Sequence, residues 1–239
     1  DGLAMERMND RRSLLSALDQ GLNLDSNQTL ASMNDFQRQA FDLLTSNNAQ
    51  KAFKLSEEPD SVRDRYGRNI YGQSVLLARR LIEANTRVVT MSWAPDANAT
   101  WDTHGQNFNS LKNTLLPQFD AACSSLIADL AERGMLQRTL VAVLGDFGRT
   151  PKINNNAGRD HWNSCYSIML AGGGIKPGFV LGASDRSGAV PTHSPVSPGD
   201  IVATMYRLLG IDHQHLIYDT LNRPHTVVPE ARLVPEIIA

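Results

Sequence analysis

The stretch that most restricts this chain is Thr139-Leu-Val-Ala-Val-Leu-Gly-Asp-Phe-Gly-Arg-Thr-Pro151, with Gly158-Arg-Asp-His-Trp162 following after a short polar loop. An unbroken apolar run that stops at Gly-Asp is how a strand buried on both faces delivers a carboxylate to the rim of a sheet. A second acid and histidine pair, Asp160-His161, lies just downstream, and a third group, Asp102-Thr-His104, lies upstream. Ligands of open parallel sheets gather beyond the carboxyl ends of the strands. The strand-like run 87–93 precedes Asp96 and Asp102, and the run 139–145 precedes Asp146, so these groups are expected on one rim.

The surrounding pattern alternates. Residues 72–85 read as an amphipathic helix and Arg87-Val-Val-Thr-Met-Ser-Trp93 as a buried strand. The longest helix carries Leu111, Leu115, Phe119, Ala122, Leu126 and Leu130 at spacings of three and four. Tyr166–Ala171 reads as a third strand and 178–182 as a short edge piece. Ser197-Pro-Gly-Asp opens a further helix, with Pro198 at its first position and Gly210 past its end. Alternation of this kind argues for a largely parallel sheet with helices on both faces. Residues 1–65 read instead as a polar helical segment, with stripes at Leu14, Leu15 and Leu18 and at Phe36, Ala40, Phe41 and Leu44.

At 239 residues the chain suits one sizeable α/β domain, alone or with a helical appendage. A formal charge of −2 supplies no basic field for nucleic acid or an anionic membrane surface. No stretch approaches the ~20 apolar residues of a membrane span, so no transmembrane segment is expected. Cys123, on an apolar helix face, and Cys165, in a strand-like run, read as two free thiols; spacing alone leaves a disulfide open.

Carboxylate and imidazole together are the usual oxygen and nitrogen ligands of zinc, manganese or iron. Three such groups in a chain with only six histidines point to a metal-assisted site. The candidate ligands are Asp102, His104, Asp146 and His161. Asp160 fits better as an outer partner that orients His161. Arg149 and Arg159 flank these acids and could grip a tetrahedral oxyanion at two points, the alternative being ion pairs with Asp146 or Asp160. Asp212-His-Gln-His215, His193 and His225 read as solvated surface, and Gly172-Gly-Gly174 as a turn. There is no P-loop lysine after those glycines and no Gly-x-Ser-x-Gly elbow.

Asp102-Thr-His-Gly-Gln-Asn-Phe, the long helix, Gly145-Asp-Phe-Gly-Arg-Thr-Pro, Gly158-Arg-Asp-His-Trp, Ala171-Gly-Gly-Gly-Ile-Lys and Pro198-Gly-Asp-Ile-Val-Ala-Thr resemble the domain-of-unknown-function family numbered 1501. That family is similar to the alkaline phosphatase and sulfatase superfamily, and the likeness runs in order from about residue 66 to 228. It implies an α/β fold of the alkaline phosphatase type, a three-layer α/β/α sandwich with a mostly parallel sheet over 66–239, preceded by the helical segment 1–65. It implies that Asp102, His104 and His161 serve one metal and Asp146 a second, the ions being zinc, manganese or calcium. Two such ions ~3.5–4 Å apart clamp the attacking and leaving oxygens of an ester. The activity implied is metal-dependent hydrolysis of phosphate or sulfate esters, on a small molecule or a polysaccharide, by an exported protein. The alternative is a metal- or ligand-binding protein that keeps the fold without turnover.

The chain departs from the superfamily in four ways. Phe147 stands where a His or Asn would ligate, and the spacing from Asp102 to His104 is shorter than usual. No Cys-x-Pro-x-Arg sequence is present. Neither the nucleophile nor the first metal-binding Asp of an early strand has a counterpart before residue 66, so either those strands lie outside this chain or it is not a complete catalyst.

Overall fold

The computed structural model describes residues 47–93 and 101–239, with isolated helical positions (7, 10, 11, 13–15, 17 and 36) before them. The two stripes expected within 1–46 therefore fall mostly outside the described residues, as does Asp96. The chain divides into two compact units: Asp1–Arg63 with Leu76–Met91, and Asp64–Val75 with Ser92–Ala239.

In the first unit, α1 (Asn47–Phe53) is followed by a 3₁₀ turn, Leu55–Glu57, then by the start of α2 (Asp60–Tyr66), of which Asp60–Arg63 belongs to this unit. The helix expected over 72–85 is α3 (Ile70–Glu83), of which Leu76–Glu83 belongs to this unit. Its Arg79 side chain is fully buried and pairs with Glu58 at 2.8 Å and Glu83 at 2.6 Å. Arg80 binds the same Glu58 and the Ala52 carbonyl. Burying a guanidinium is costly unless it is paired in this way.

In the second unit the long helix is α4 (Asn107–Ser110), a π-helical turn (Leu111–Leu115) and α5 (Leu116–Glu132). Leu115, Ala122 and Leu130 are buried along it, as the spacing predicts. The Tyr66 hydroxyl, fully buried, donates to Asp129 on α5 at 2.9 Å. Trp93, Trp101 and Phe119 make a cluster of edge-on and tilted rings, with Tyr71 stacked on Trp93 at 4.7 Å. That cluster anchors the chain immediately before Asp102. α6 (Pro198–Leu208) has Pro198 at its start and a reciprocal cap in which Ser197 and Asp200 bond each other's backbone N–H.

The expected parallel sandwich of the alkaline phosphatase type is overturned. Among the described residues the strands form four separate two-stranded antiparallel sheets: β1 (Val141–Val143) with β4 (Met169–Ala171), β2 (Gly148–Arg149) with β3 (His161–Trp162), β5 (Ala183–Ser184) with β6 (Pro191–His193), and β7 (Leu216–Tyr218) with β8 (Pro224–Thr226). The physical reason lies in the connection. Parallel neighbours need a crossover of about a dozen residues, usually a helix. Between β1 and β4 there is no helix, only the β2–β3 pair and its loops, so the chain returns antiparallel with Val141 opposite Ala171. The run 87–93 forms no strand at all, and Val88 is 67% exposed. The 178–182 piece is likewise unpaired. No helix among the described residues is long and apolar enough to cross a membrane. Cys123 is buried, Cys165 half-buried, and both are free thiols.

Candidate metal centre

Two short elements and two loops bring the site together. Arg149 on β2 lies directly opposite His161 on β3, and the Thr150 N–H to Asp160 carbonyl bond extends the pair. β2 can run this close to the following loop because residue 148 is glycine: a Cβ there would meet the Cys165 carbonyl oxygen at 2.3 Å. At the other end of β3, the Trp162 indole donates to the Ala189 carbonyl at 2.6 Å.

The Asp102–His104 loop docks on the 154–160 loop through the backbone. Gln106 and Asn107 donate to the carbonyls of Asn156 and Ala157, and Arg159 donates to that of Thr103. Gly158 makes the approach feasible, since a Cβ would sit 1.9 Å from the His104 carbonyl oxygen. Backbone contacts thus fix the distance between His104 and the chain carrying Asp160 and His161.

Asp102, His104 and His161 are the residues brought to one point. Their ligand atoms lie within 4.8 Å of one another, and they are the one group of this kind among the described residues. The triangle has edges of 2.9 Å from His161 Nε2 to Asp102 Oδ1, 3.1 Å from His104 Nε2 to the same oxygen, and 3.1 Å between the two Nε2 atoms. Ligands about 2.1 Å from an ion and roughly 90° apart are separated by about 3 Å, so one divalent ion can meet all three without backbone movement. The three side chains are each about half exposed.

Asp160 is the outer partner the sequence suggests, but of a different histidine. Its Oδ1 lies 2.8 Å from His104 Nδ1, and not on His161. An ionised carboxylate only accepts, so Nδ1 carries the hydrogen toward Asp160, and Nε2 faces Asp102 and His161. Three ligand atoms thus face one another across 2.9–3.1 Å, and a cation among them would meet all three.

Arg149 is held to the protein by three hydrogen bonds. It donates to Asp102 Oδ1 at 2.6 Å, to the Trp101 carbonyl at 2.9 Å and to the Arg159 carbonyl at 3.1 Å. The hydrogen bond from Arg149, then that from His161, holds the Asp102 carboxyl down to about 2. Asp160 is also held below the usual range, chiefly by His104 and then by Asn154. Both acids are therefore anionic at neutral pH.

The remaining sequence candidates stand apart. Asp146 is exposed and outside the cluster of ligand atoms. Its neighbour Phe147 instead packs its ring against His161, centroid to centroid 4.2 Å. The Arg159 guanidinium lies over the Phe108 ring at 5.6 Å. His193, His215 and His225 are exposed as expected, whereas His213 is buried. Sequence reasoning passed over Asn154, whose amide touches both the His104 carbonyl and Asp160. The signal for it was the Asn154-Asn-Asn156 run ahead of Gly158, which is the composition of an Asx turn.

The chain matches, over residues 1–238, the family described as "Protein of unknown function (DUF1501)", and it belongs to that family. No curated protein and no solved structure matches the chain.

Proposed function

We propose that this chain is a metal-dependent hydrolase of phosphate or sulfate esters, with Asp102, His104 and His161 holding one divalent ion, zinc, manganese or calcium. The observation that carries the reading is the His₂Asp triangle with edges of 2.9–3.1 Å, open to solvent on a rigidly paired corner. A bound ion would acidify a coordinated water and polarise an ester oxygen. The chain's own residues supply the rest. Asp102 brings one negative charge to the ion. His104, oriented by Asp160, presents Nε2. Arg149 adds a fixed positive charge beside Asp102, where a tetrahedral dianion would gather. Asp146 lies outside the triangle, so the reading is a one-ion site and not a two-ion clamp. The ester class, the small-molecule or polysaccharide substrate and the exported location rest on the sequence motifs alone, since the alkaline phosphatase-type sheet is not found among the described residues.

A second reading, binding of a metal or ligand without turnover, has one observation in its favour. All three Arg149 hydrogen bonds go to the protein itself. A panel of aryl phosphates and aryl sulfates with added zinc, manganese or calcium separates the two. Turnover that is lost with chelator, and in His104→Ala and His161→Ala, is the expected result. Metal bound by the wild type with no turnover on any ester would favour the second reading.

A further inference from the structure

We infer that Asn154 is a positioning residue for the metal triangle, acting through Asp160 on the tautomer and orientation of His104. This rests on the reading of Asp102, His104 and His161 as ligands. The Asn154 side chain uses every hydrogen-bonding position it has. Its Oδ1 accepts from the N–H groups of Asn156 and Gly158, each at 3.0 Å. Its Nδ2 donates to the His104 carbonyl at 3.0 Å and to Asp160 Oδ1 at 3.1 Å. These partners leave only one orientation of the amide, since two are donors and two are acceptors.

The two halves of the amide do different things. The oxygen folds the loop as an Asx turn, together with the Asn154 N–H to Gly158 carbonyl bond of 2.9 Å. The nitrogen ties that loop to the ligand it must serve. It binds the backbone of His104 and, with the same group, the carboxylate oxygen that receives His104 Nδ1–H. Asp160 is exposed, so without Asn154 it has rotamer freedom to swing into water. His104 would then lose the partner that keeps its hydrogen on Nδ1, and Nε2 would spend part of its time protonated and unable to ligate.

Three variants separate the two halves. Asn154→Asp keeps the turn-forming acceptor but replaces the donors with a charge that repels Asp160. Asn154→Ala removes both, and Asn154→Ser keeps a weaker turn. The first readout needs no metal: long-range proton–nitrogen correlation of the His104 ring in the ion-free protein at pH 8. The second is the affinity for zinc ion alone, by calorimetry. The wild type is expected to show the Nδ1–H form. Asn154→Asp and Asn154→Ala are expected to shift the ring toward Nε2–H and to bind zinc about 10–100-fold more weakly, while Asn154→Asp keeps its unfolding midpoint within about 3 °C. A wild-type tautomer in Asn154→Asp would overturn the inference and leave Asn154 a turn residue only. A wild type that binds no ion would sink the proposed function, while the tautomer shift would still decide this inference.

Discussion

Asp102 and Asp200 both lie in the second unit and both meet an arginine, yet their surroundings differ. Asp200 is 5% exposed. It receives the backbone N–H groups of Ser197 at 3.0 Å and Arg232 at 2.9 Å, together with the Arg232 side chain. Beside it, Thr204 donates to the Asp200 carbonyl and accepts from the Val234 N–H, so the last residues of the chain are stitched to α6. Every acceptor there faces a donor. Asp102 is half exposed, and the oxygen that takes Arg149 also faces two imidazole nitrogens. A carboxylate whose bonds are all satisfied inside the protein holds a fold. One that converges with lone pairs at the surface is suited to hold something else.

That contrast can be broken by substitution. Asp102→Ala should weaken zinc binding by more than about 100-fold, beyond the range of changes to outer partners, while altering unfolding free energy by less than about 1 kcal/mol, as for exposed ion pairs. Calorimetry beside urea titration reads both. Asp200→Ala should do the reverse, costing about 2–3 kcal/mol through a lost cap and orphaned buried N–H groups, with zinc affinity unchanged. If the two variants moved the same quantity, the distinction between the regions would be lost.

Asp160→Ala should fall between them. The expectation is a loss of about 10–100-fold in zinc affinity with no measurable change in urea midpoint. The smallest effects are in pH. Burial works to raise the Asp200 carboxyl, but hydrogen bonds from the Arg232 and Ser197 backbones outweigh it and hold the group below its ordinary value. Its contribution is therefore complete above the unfolded carboxylate value of about 3.9 and is lost as pH falls through the lower folded one. Lowering the pH from 6 to 3 should shift the urea midpoint more in the wild type than in Asp200→Asn. The Asp102 carboxyl, followed by carbon NMR in the ion-free protein, should titrate near 2.

The helices were legible because their signals are local. The spacing of Leu115, Ala122 and Leu130, and the Ser197-Pro-Gly-Asp start with its Gly210 stop, need no knowledge of the rest of the chain. The strands were not. Residues 139–145 and 87–93 have strand composition, but whether a run becomes a strand, and in which direction it pairs, depends on distant partners. Only Val141–Val143 of the first finds one, and the second finds none. Of the site, Asp102, His104 and His161 could be read because their chemistry is scarce in the sequence. The pairing of Asp160 with His104 could not, because it follows from loop docking around Gly158. Asn154 sat in a run of three asparagines that composition alone reads as loop.

The most direct measurement is the metal content of purified wild-type protein after exposure to zinc or manganese, repeated on His104→Ala and His161→Ala. One ion per chain in the wild type, and none in either variant, is the predicted result. Equal metal in all three, or no metal in the wild type, would contradict the assignment of Asp102, His104 and His161 as a metal centre.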